Sequence, residues 1–473
     1  MDEIAFYCCS GDATDKHDAN SFAYLSSLHS SKQYLQYRQC YSGRNGSVLT
    51  GIGQETKLIS ACNDRAIIQV YLYGKESPEQ KIPIPEPLSC LEICDDWLLV
   101  GGGQSGRIYV WELDSGLLLA VKECHYQAVN VIRYNKGFLV SGGADSRVVI
   151  WRILDLANDS INPAKPYSIL TDNTLPVTDL VITNGLVSDL KVYTASRDCT
   201  VRCYSIASKR LITTFVLPTK VESLAADPAY RALYAGQDDG FIRMIPLYRG
   251  NVKTHVLEAV GGMGSIVTLK PDLDLQETFV CHKDDGNGQT IVTKLQVTLD
   301  GTYLVSGDSK GNVFVVDIAT KQIQRKFKPL AGAVSQILLA YTKADNKQLD
   351  RHYNDKNMVR VIPTLKRVVV DANAIEKHEI QKKLGELQPP YFGEQKFDMN
   401  RFLEDVKTQQ MWFTNLSDID STVIRQGSEN LFANGKAAGE LTVLKTQLEQ
   451  KNAAYTTLKE KYEQLYKEHI NGL

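Results

Sequence analysis

The stretch Phe138–Trp151, FLVSGGADSRVVIW, decides the fold of this chain. Phe138–Gly143 is predicted to be a strand, Asp145–Ser146 a tight turn, and Arg147–Trp151 a second strand. The pattern is a small residue, an Asp or its substitute four residues later, and a bulky residue six residues after that. Six rows follow it: Ser60/Asp64/Val70, Gly101/Ser105/Trp111, Ser141/Asp145/Trp151, Thr194/Asp198/Tyr204, Ala235/Asp239/Ile245 and Ser306/Lys310/Val316.

The rows recur with a period that is typical of one architecture. Their final residues are 41, 40, 53, 41 and 71 positions apart. A repeat of about 40 residues, with strands around an Asp-bearing turn, indicates the blades of a β-propeller. The two longer spacings leave a loop within Arg152–Pro176 and a larger insertion at about 248–290, and long loops in compact domains are often functional.

A seventh unit is divided between the two ends of the repeat region. Ile4–Cys9 and Ser21–Ser26 look like two strands, and Ala333–Ala340 is their expected innermost partner. A blade built from both ends removes exposed sheet edges and locks the ring. We therefore predict an all-β, seven-bladed propeller over residues 1–371, with six or eight blades as alternatives.

The repeated positions are expected to be structural. A turn Asp accepts backbone hydrogen bonds, and a buried bulky residue contributes roughly 1.5–3 kcal/mol by filling space between blades. His125 precedes the first strand of its unit, where a hydrogen bond to the turn Asp is expected. The predicted structural positions are Asp64, Trp111, His125, Asp145, Trp151, Asp198 and Asp239.

The sequence changes character after the propeller. Residues 372–435 are a mixed, partly helical linker, and residues 436–470 are strongly helical. Apolar residues at a and d spacing predict a coiled coil, with another copy or another subunit, and packing back onto the propeller is the alternative. The predicted seam is Leu441, Leu444, Leu448, Tyr455, Leu458, Tyr462 and Leu465, interrupted by Lys451.

Composition excludes several classes of function. A net charge of -2 gives no global attraction to nucleic acid or membranes, and no apolar run approaches the length of a membrane-spanning helix. The acidic start, MDEIAFYCCSGD, does not resemble a secretory signal, so we expect a cytosolic or nuclear protein with ten free thiols. Cys90/Cys94 and Cys199/Cys203 have CxxxC spacing, which does not predict a metal site.

We find no catalytic constellation in the sequence. Gly101, Gly103 and Gly106 spell GxGxxG, but a β-rich run follows where a dinucleotide site needs a helix. There is no nucleophile elbow and no phosphate-binding loop with a Lys. We expect no enzyme activity and no cofactor.

Several rows carry a degenerate WD-repeat signature: VSGGADSRVVIW, VGGGQSGRIYVW, TASRDCTVRCY and VSGDSKGNVFVVDI. The terminal Trp-Asp pair is absent, since Glu112 follows Trp111 and Arg152 follows Trp151. With HYQ at 125–127, LPVTDL at 175–180 and the strand within 331–340, nearly the whole chain resembles the Ipi-type pre-rRNA-processing WD-repeat proteins, the propeller subunits of the nuclear Rix complex.

The resemblance implies a non-enzymatic scaffold in the nucleolus and nucleoplasm. In that family the propeller and its C-terminal helix assemble with a helical Rix-type scaffold subunit and a further Ipi-type subunit. The complex joins pre-60S ribosomal particles, supports removal of the second internal transcribed spacer and works with the AAA+ ATPase midasin (Rea). A role in DNA replication licensing is also attributed to the family.

One alternative belongs to a different class, a WD-type substrate receptor of a ubiquitin ligase. Such a receptor needs an adaptor-binding motif such as an F-box, and the mixed segment Tyr391–Asn434 does not provide a convincing one. The sequence leaves open which propeller face binds partners, whether the C-terminal helix pairs with itself, whether rRNA is contacted directly, and how the insertion folds.

Overall fold

Neighbouring strands pair antiparallel into seven sheets, and these sheets are the blades of a propeller. The computed structural model describes residues 2–11, 22–30, 32–50, 57–72, 75–159, 162–250, 256–269, 278–282, 290–342, 362–371, 378 and 461. All of them except Lys461 belong to one compact unit, Met1–Lys382, and a second unit covers Lys383–Leu473. The predicted helix at 436–470 lies outside the described residues apart from Lys461.

The first three complete blades follow one another along the chain, each with its four strands in sequence order. Blade 1 contains β4 Ser47–Thr50, β5 Lys57–Ala61, β6 Ile67–Leu72 and β7 Gln80–Pro83. Blade 2 contains β8 Leu88–Cys94, β9 Leu98–Gly103, β10 Arg107–Glu112 and β11 Leu118–Glu123. Blade 3 contains β12 Val129–Asn135, β13 Phe138–Gly143, β14 Val148–Arg152 and β15 Ser168–Leu170.

The other blades include the insertion and both ends of the ring. Blade 4 contains β16 Val177–Ile182, β17 Lys191–Ser196, β18 Thr200–Ser205 and β19 Arg210–Val216. Blade 5 contains β20 Val221–Ala226, β21 Ala232–Gln237, β22 Ile242–Pro246 and β26 Thr278–Phe279. Blade 6 contains β27 Val292–Val297, β28 Tyr303–Asp308, β29 Val313–Asp317 and β30 Ile323–Lys326. Blade 7 contains β31 Val334–Thr342, β1 Asp2–Cys9, β2 Ala23–Ser27 and β3 Gln33–Tyr37.

The first strand of each sheet forms the inner wall of the ring. The inner strands β4, β8, β12, β16, β20, β27 and β31 each contact the next in this order, and β31 contacts β4. Blade 7 closes the ring, because β31 pairs with β1 from Val334↔Cys9 to Thr342↔Asp2. The prediction of seven blades is confirmed.

The two long spacings of the repeat contain additional elements. The predicted loop within Arg152–Pro176 holds helix α1, Ile153–Ala157, which buries Ile153 and Leu156 on one face, and it also holds the outer strand β15. A 3₁₀ helix covers Val187–Asp189.

The larger insertion forms a separate hairpin and adds strands to blades 4 and 5. It contains a hairpin of β23, Tyr248–Gly250, and β24, Leu257–Ala259. A further strand, β25 Ser265–Thr268, pairs parallel with β19 and becomes the fifth strand of blade 4.

The hydrophobic cores lie between neighbouring blades. Phe6 and Tyr37 of blade 7 pack with Leu58 and Tyr71 of blade 1, and Phe6 is fully buried. No helix in the described part of the chain has the length and apolarity needed to span a membrane.

Phe6→Ala is expected to lower the free energy of unfolding by about 3–5 kcal/mol, because it leaves a cavity where β1 packs between blades 7 and 1. Urea denaturation followed by circular dichroism measures the loss. Leu186→Ala, at a residue that is 73% exposed, is the control and should change stability by less than about 0.5 kcal/mol. Equal midpoints for the Phe6 variant and the unmodified chain would contradict the closure of the ring by β1.

Candidate functional site

A Ser–His–Asp chain of hydrogen bonds lies in blade 3. Nδ1 of His125 is 2.9 Å from Oδ1 of Asp145, and Nε2 of His125 is 2.8 Å from Oγ of Ser141. The His125 side chain is completely buried. These are the two predicted residues His125 and Asp145, together with the small residue of the same row.

Blade 6 contains a second chain of the same kind, which the sequence reasoning missed. Nδ1 of His282 is 3.1 Å from Oδ2 of Asp308, and Nε2 of His282 is 2.9 Å from Oγ of Ser306. The acid stands two residues after Ser306, whereas the pattern placed the equivalent position at Lys310. The histidine lies 24 residues before the serine, compared with 16 in blade 3, so a fixed spacing does not find it.

Both chains resemble a catalytic triad in their hydrogen bonds but not in their setting. A nucleophilic serine needs room for a substrate carbonyl and donors for the developing oxyanion. Ser141 and Ser306 are fully buried inside their sheets. Asp145 also accepts hydrogen bonds from the amides of Tyr126 at 3.0 Å and Arg147 at 3.2 Å. The chains therefore tie strands and turns together.

The electrostatics of the blade 3 chain favour an ion pair. Burial disfavours the charged imidazole, but the hydrogen bonds and charges of Asp145 and Cys124 together outweigh it and raise the pKa of His125 from 6.5 to about 9. Burial also raises the pKa of Asp145, but its hydrogen bonds from His125 and the backbone hold that pKa below the usual range. At neutral pH the pair is His125⁺ with Asp145⁻.

Of the other predicted turn residues, two accept hydrogen bonds within their turns and the third is exposed. Asp198 accepts from the Thr200 amide at 3.1 Å and from Arg202 at 2.7 Å. Asp239 accepts from the amide of Phe241 at 3.0 Å and from Arg243 at 3.2 Å. Asp64 is exposed in its turn.

The two tryptophans of the pattern are both buried. Trp111 lies in the core between blades 1 and 2 and stacks on Tyr109, with ring centroids 5.5 Å apart. Trp151 lies in the core between blades 2 and 3, and its Nε1 is 3.3 Å from the sulfur of Cys124. The predicted coiled-coil seam, Leu441, Leu444, Leu448, Tyr455, Leu458, Tyr462 and Leu465, lies outside the described residues.

The glycine motif at 101–106 connects two strands. Gly101 and Gly103 belong to β9, and β10 begins directly after the turn at Gly106. Gly106 has a φ of 89°, and a Cβ there would lie 2.1 Å from the carbonyl oxygen of His125. Close packing of the turn therefore requires this glycine, and no helix N-terminus is available to hold a phosphate.

Eight of the ten cysteines are buried, and their thiols act as small apolar groups. All ten cysteines are free, and burial raises the pKa of Cys90 to about 12 and that of Cys203 to about 11. The described residues contain no group of three or more His, Cys, Asp or Glu side chains that could hold a metal ion.

A cleft of about 670 Å³ between blades 5 and 6 is lined by three carboxylates, Asp227, Asp300 and Asp317. Asp227 forms a two-pronged ion pair with Arg231, with both distances at 2.8 Å. Asp300 accepts from the hydroxyl of Thr302 at 2.8 Å, and Asp317 accepts from the amide of Ala319 at 2.8 Å. These carboxylates stabilise turns and do not form an acid–base pair.

Charged side chains from different blades meet across the central channel. Nζ of Lys294, from blade 6, donates to Asp179 of blade 4 at 3.1 Å and to Asn45 at 2.5 Å. Arg133 of blade 3 donates to the same Asn45 at 3.1 Å and to Asp179 at 3.3 Å. Asn45 lies just before blade 1, so these contacts join blades that are not neighbours.

A second group of contacts crosses the channel beside the first. Arg44, next to Asn45, donates to the carboxylate of Glu222 in blade 5 at 2.8 Å and to the carbonyl of Thr293 in blade 6 at 2.8 Å. Arg197 pairs with the other carboxylate oxygen of Glu222 at 3.0 Å. Side chains thus meet across the channel at this level, and each of these cations faces a carboxylate.

Burial controls the charges at the centre of this network. It lowers the pKa of Lys294 from 10.5 to about 8, although Asp179 opposes the shift. Burial raises the pKa of Asp179, but the charges of Lys294 and Arg133 outweigh it and hold that pKa below the usual range. Asp179 therefore compensates Lys294 and shares Arg133 with Glu92, whose carboxylate lies 3.5 Å from that guanidinium.

The ion pair of His125 predicts a pH dependence of stability. Because the folded-state pKa of His125 is raised, its stabilisation is complete below pH 6.5 and disappears as the pH rises through 9. Asp145→Asn should therefore lose roughly 2 kcal/mol more at pH 6 than at pH 9.5. Urea titrations at both pH values measure this. The exposed Asp64→Asn is the control, and a loss independent of pH in the Asp145 variant would refute the ion pair.

The channel network predicts a large cost for removing its central carboxylate. Asp179→Asn leaves Lys294 buried without its counter-charge and leaves Arg133 paired with Glu92 alone, which should cost about 3–5 kcal/mol. Asp238→Asn is the matched control, because its partner Lys220 is 58% exposed and 3.8 Å away, so the loss should stay below about 1 kcal/mol. Similar unfolding free energies for the two variants would rule out a structural role for the network.

Comparison with known proteins adds evidence that the geometry does not contain. The chain is 40% identical to a Candida albicans protein named Pre-rRNA-processing protein IPI3, with 100% of this chain and 99% of that protein aligned. A Scheffersomyces stipitis protein of the same name is 39% identical over 100% and 99% of the two chains. The Saccharomyces cerevisiae protein of this name is 31% identical over 95% and 97%.

No protein-family model matches the chain. The relatives nevertheless align along the full length, and their shared name agrees with the resemblance carried by the WD-type rows. The chain belongs to the IPI3 family of pre-rRNA-processing proteins.

Proposed function

We propose that the protein is a non-enzymatic scaffold subunit of a nuclear complex that assembles the large ribosomal subunit and supports processing of the second internal transcribed spacer. The observation that carries the scaffold role is the channel, where Arg133 and Lys294 pair with Asp179 and Arg44 pairs with Glu222. Because these charged side chains bind one another, the outer surfaces are what the propeller offers to partners. The full-length similarity to pre-rRNA-processing proteins supports the process in which it acts.

The insertion of blade 5 offers a surface suited to protein contact. Five large apolar side chains are exposed within this segment, and exposed apolar surface is a common feature of protein interaction sites. They are Tyr248 at 47%, Val256 at 57%, Leu257 at 74%, Met263 at 77% and Ile266 at 72% exposure. Their apolar character favours a protein partner over rRNA, which calls for basic and aromatic side chains.

The C-terminal region provides a second means of assembly. A helix at 436–470 with an apolar seam must pack on something, since it cannot bury that seam alone. We propose that it joins the helical Rix-type scaffold subunit and the further Ipi-type subunit, or a second copy of this chain. The complex would then join the pre-60S particle and work with the AAA+ ATPase midasin (Rea) in the nucleolus and nucleoplasm. A role in DNA replication licensing is a further part of this proposal.

Leu448→Asp combined with Leu458→Asp is expected to separate assembly from folding, because it puts two charges into the apolar seam. When the tagged full-length variant is purified from yeast, the recovery of pre-60S proteins and of the helical scaffold subunit should fall at least about tenfold. This corresponds to a loss of about 1.4 kcal/mol of binding free energy. Quantitative mass spectrometry of the purified material measures the loss. The matched control is Thr446→Asp with Ala453→Asp, which adds the same charges away from the seam.

Three results would contradict the proposal. Full recovery of the partners by the seam variant would show that the helix is not needed for assembly. Absence of pre-60S proteins from the unmodified purification would remove the ribosomal role. A cullin or an adaptor in their place would favour the ubiquitin-ligase receptor.

A further inference from the structure

An extended segment after the last blade lies against blade 2. We call residues 362–371 the strap. Val369 forms a parallel bridge with Leu118 at the start of β11, the outer strand of blade 2. The strap thus extends the outer edge of a blade that is remote in sequence.

Two apolar side chains anchor the strap. Ile362 and Leu365 are 2% and 3% exposed, and both pack in the core that contains Trp111 and Leu118 of blade 2 and Ile59 of blade 1. The groove between blades 1 and 2 therefore buries these side chains as completely as it buries its own.

Backbone hydrogen bonds hold the strap along its length. The amide of Lys366 donates to the carbonyl of Gly116 at 2.7 Å, and the amide of Val370 donates to the carbonyl of Leu118 at 3.0 Å. The indole of Trp111 donates to the carbonyl of Lys366 at 2.9 Å. An aromatic residue of the repeat thus also binds a segment outside the repeat.

The groove is shaped for a backbone to approach closely. A Cβ on Gly116 would lie 2.6 Å from the carbonyl oxygen of Thr364, so only glycine admits the strap at this point. Beyond the strap, Nε2 of His378 lies 2.8 Å from the carboxylate of Glu112, which is itself buried. In contrast, Val368 is 78% exposed.

The path of the chain explains why such a site matters. The last propeller strand, β31, ends at Thr342 in blade 7, and the strap lies at blade 2. Residues 343–361 connect the two, and an extended chain of that length reaches about 60 Å. Without an anchor, the C-terminal region would be tethered only at blade 7 and would sample a wide range of positions.

We propose that the groove between blades 1 and 2 is a docking site for the strap, and that it fixes the point at which the C-terminal region leaves the propeller. This inference does not rest on the proposed function.

Hydrogen exchange of the full-length chain tests the docking. In the unmodified protein, the amides of Lys366 and Val370 should exchange at least about tenfold more slowly than those of an unfolded peptide. Ile362→Asp with Leu365→Asp should remove that protection, and Val368→Asp, at the exposed position of the same strap, should keep it. Unprotected amides in the unmodified chain would overturn the proposal, even if the double variant failed to fold.

Discussion

The pairing of β1 with β31 is the constraint on which the rest of the structure depends. Each hydrophobic core lies between two blades, so an open array would leave one side of the first and last blades uncovered. The antiparallel register from Asp2 to Cys9 joins the ends of the repeat and creates the last two interfaces. Its entropic cost is moderate, because the cost of closing a loop rises only with the logarithm of its length.

Closure of the ring also makes the channel network geometrically possible. Lys294, Asp179 and Asn45 meet only because blades 6, 4 and 1 surround one axis. Buried charges are a weak source of stability, since desolvation offsets most of their attraction. Their effect here is on the arrangement of the blades, because each charged side chain reaches its partner only when its blade has one orientation and position. The network therefore favours a rigid ring whose charged channel residues bind one another.

The blades could be predicted from the sequence because each is set by local rules. A small residue like Ser141 recurs in all six rows and an Asp like Asp145 in four of them, so periodicity reveals them. The second buried histidine, His282, escaped because the insertion lengthens its separation from Ser306. The Arg44–Glu222 contact joins residues 178 positions apart, and no repeat pattern encodes such a pairing. The parallel strand β25 and the strap were missed for the same reason, as both pair with strands of other units.

The segments that break the repeat are where this protein differs from a generic propeller. Seven similar blades present similar surfaces. A partner that binds the propeller in a single orientation must therefore recognise a feature that only one or two blades carry. The apolar hairpin and strand of the insertion occur once, on blades 4 and 5, and the strap occurs once, on blade 2. Trp111 shows how the two levels connect, because the residue that packs blade 1 against blade 2 also donates its indole hydrogen bond to the strap. Trp111 and Trp151 occupy the same position of the repeat, but their indole groups have different partners. Trp111 binds the strap, whereas Trp151 binds Cys124.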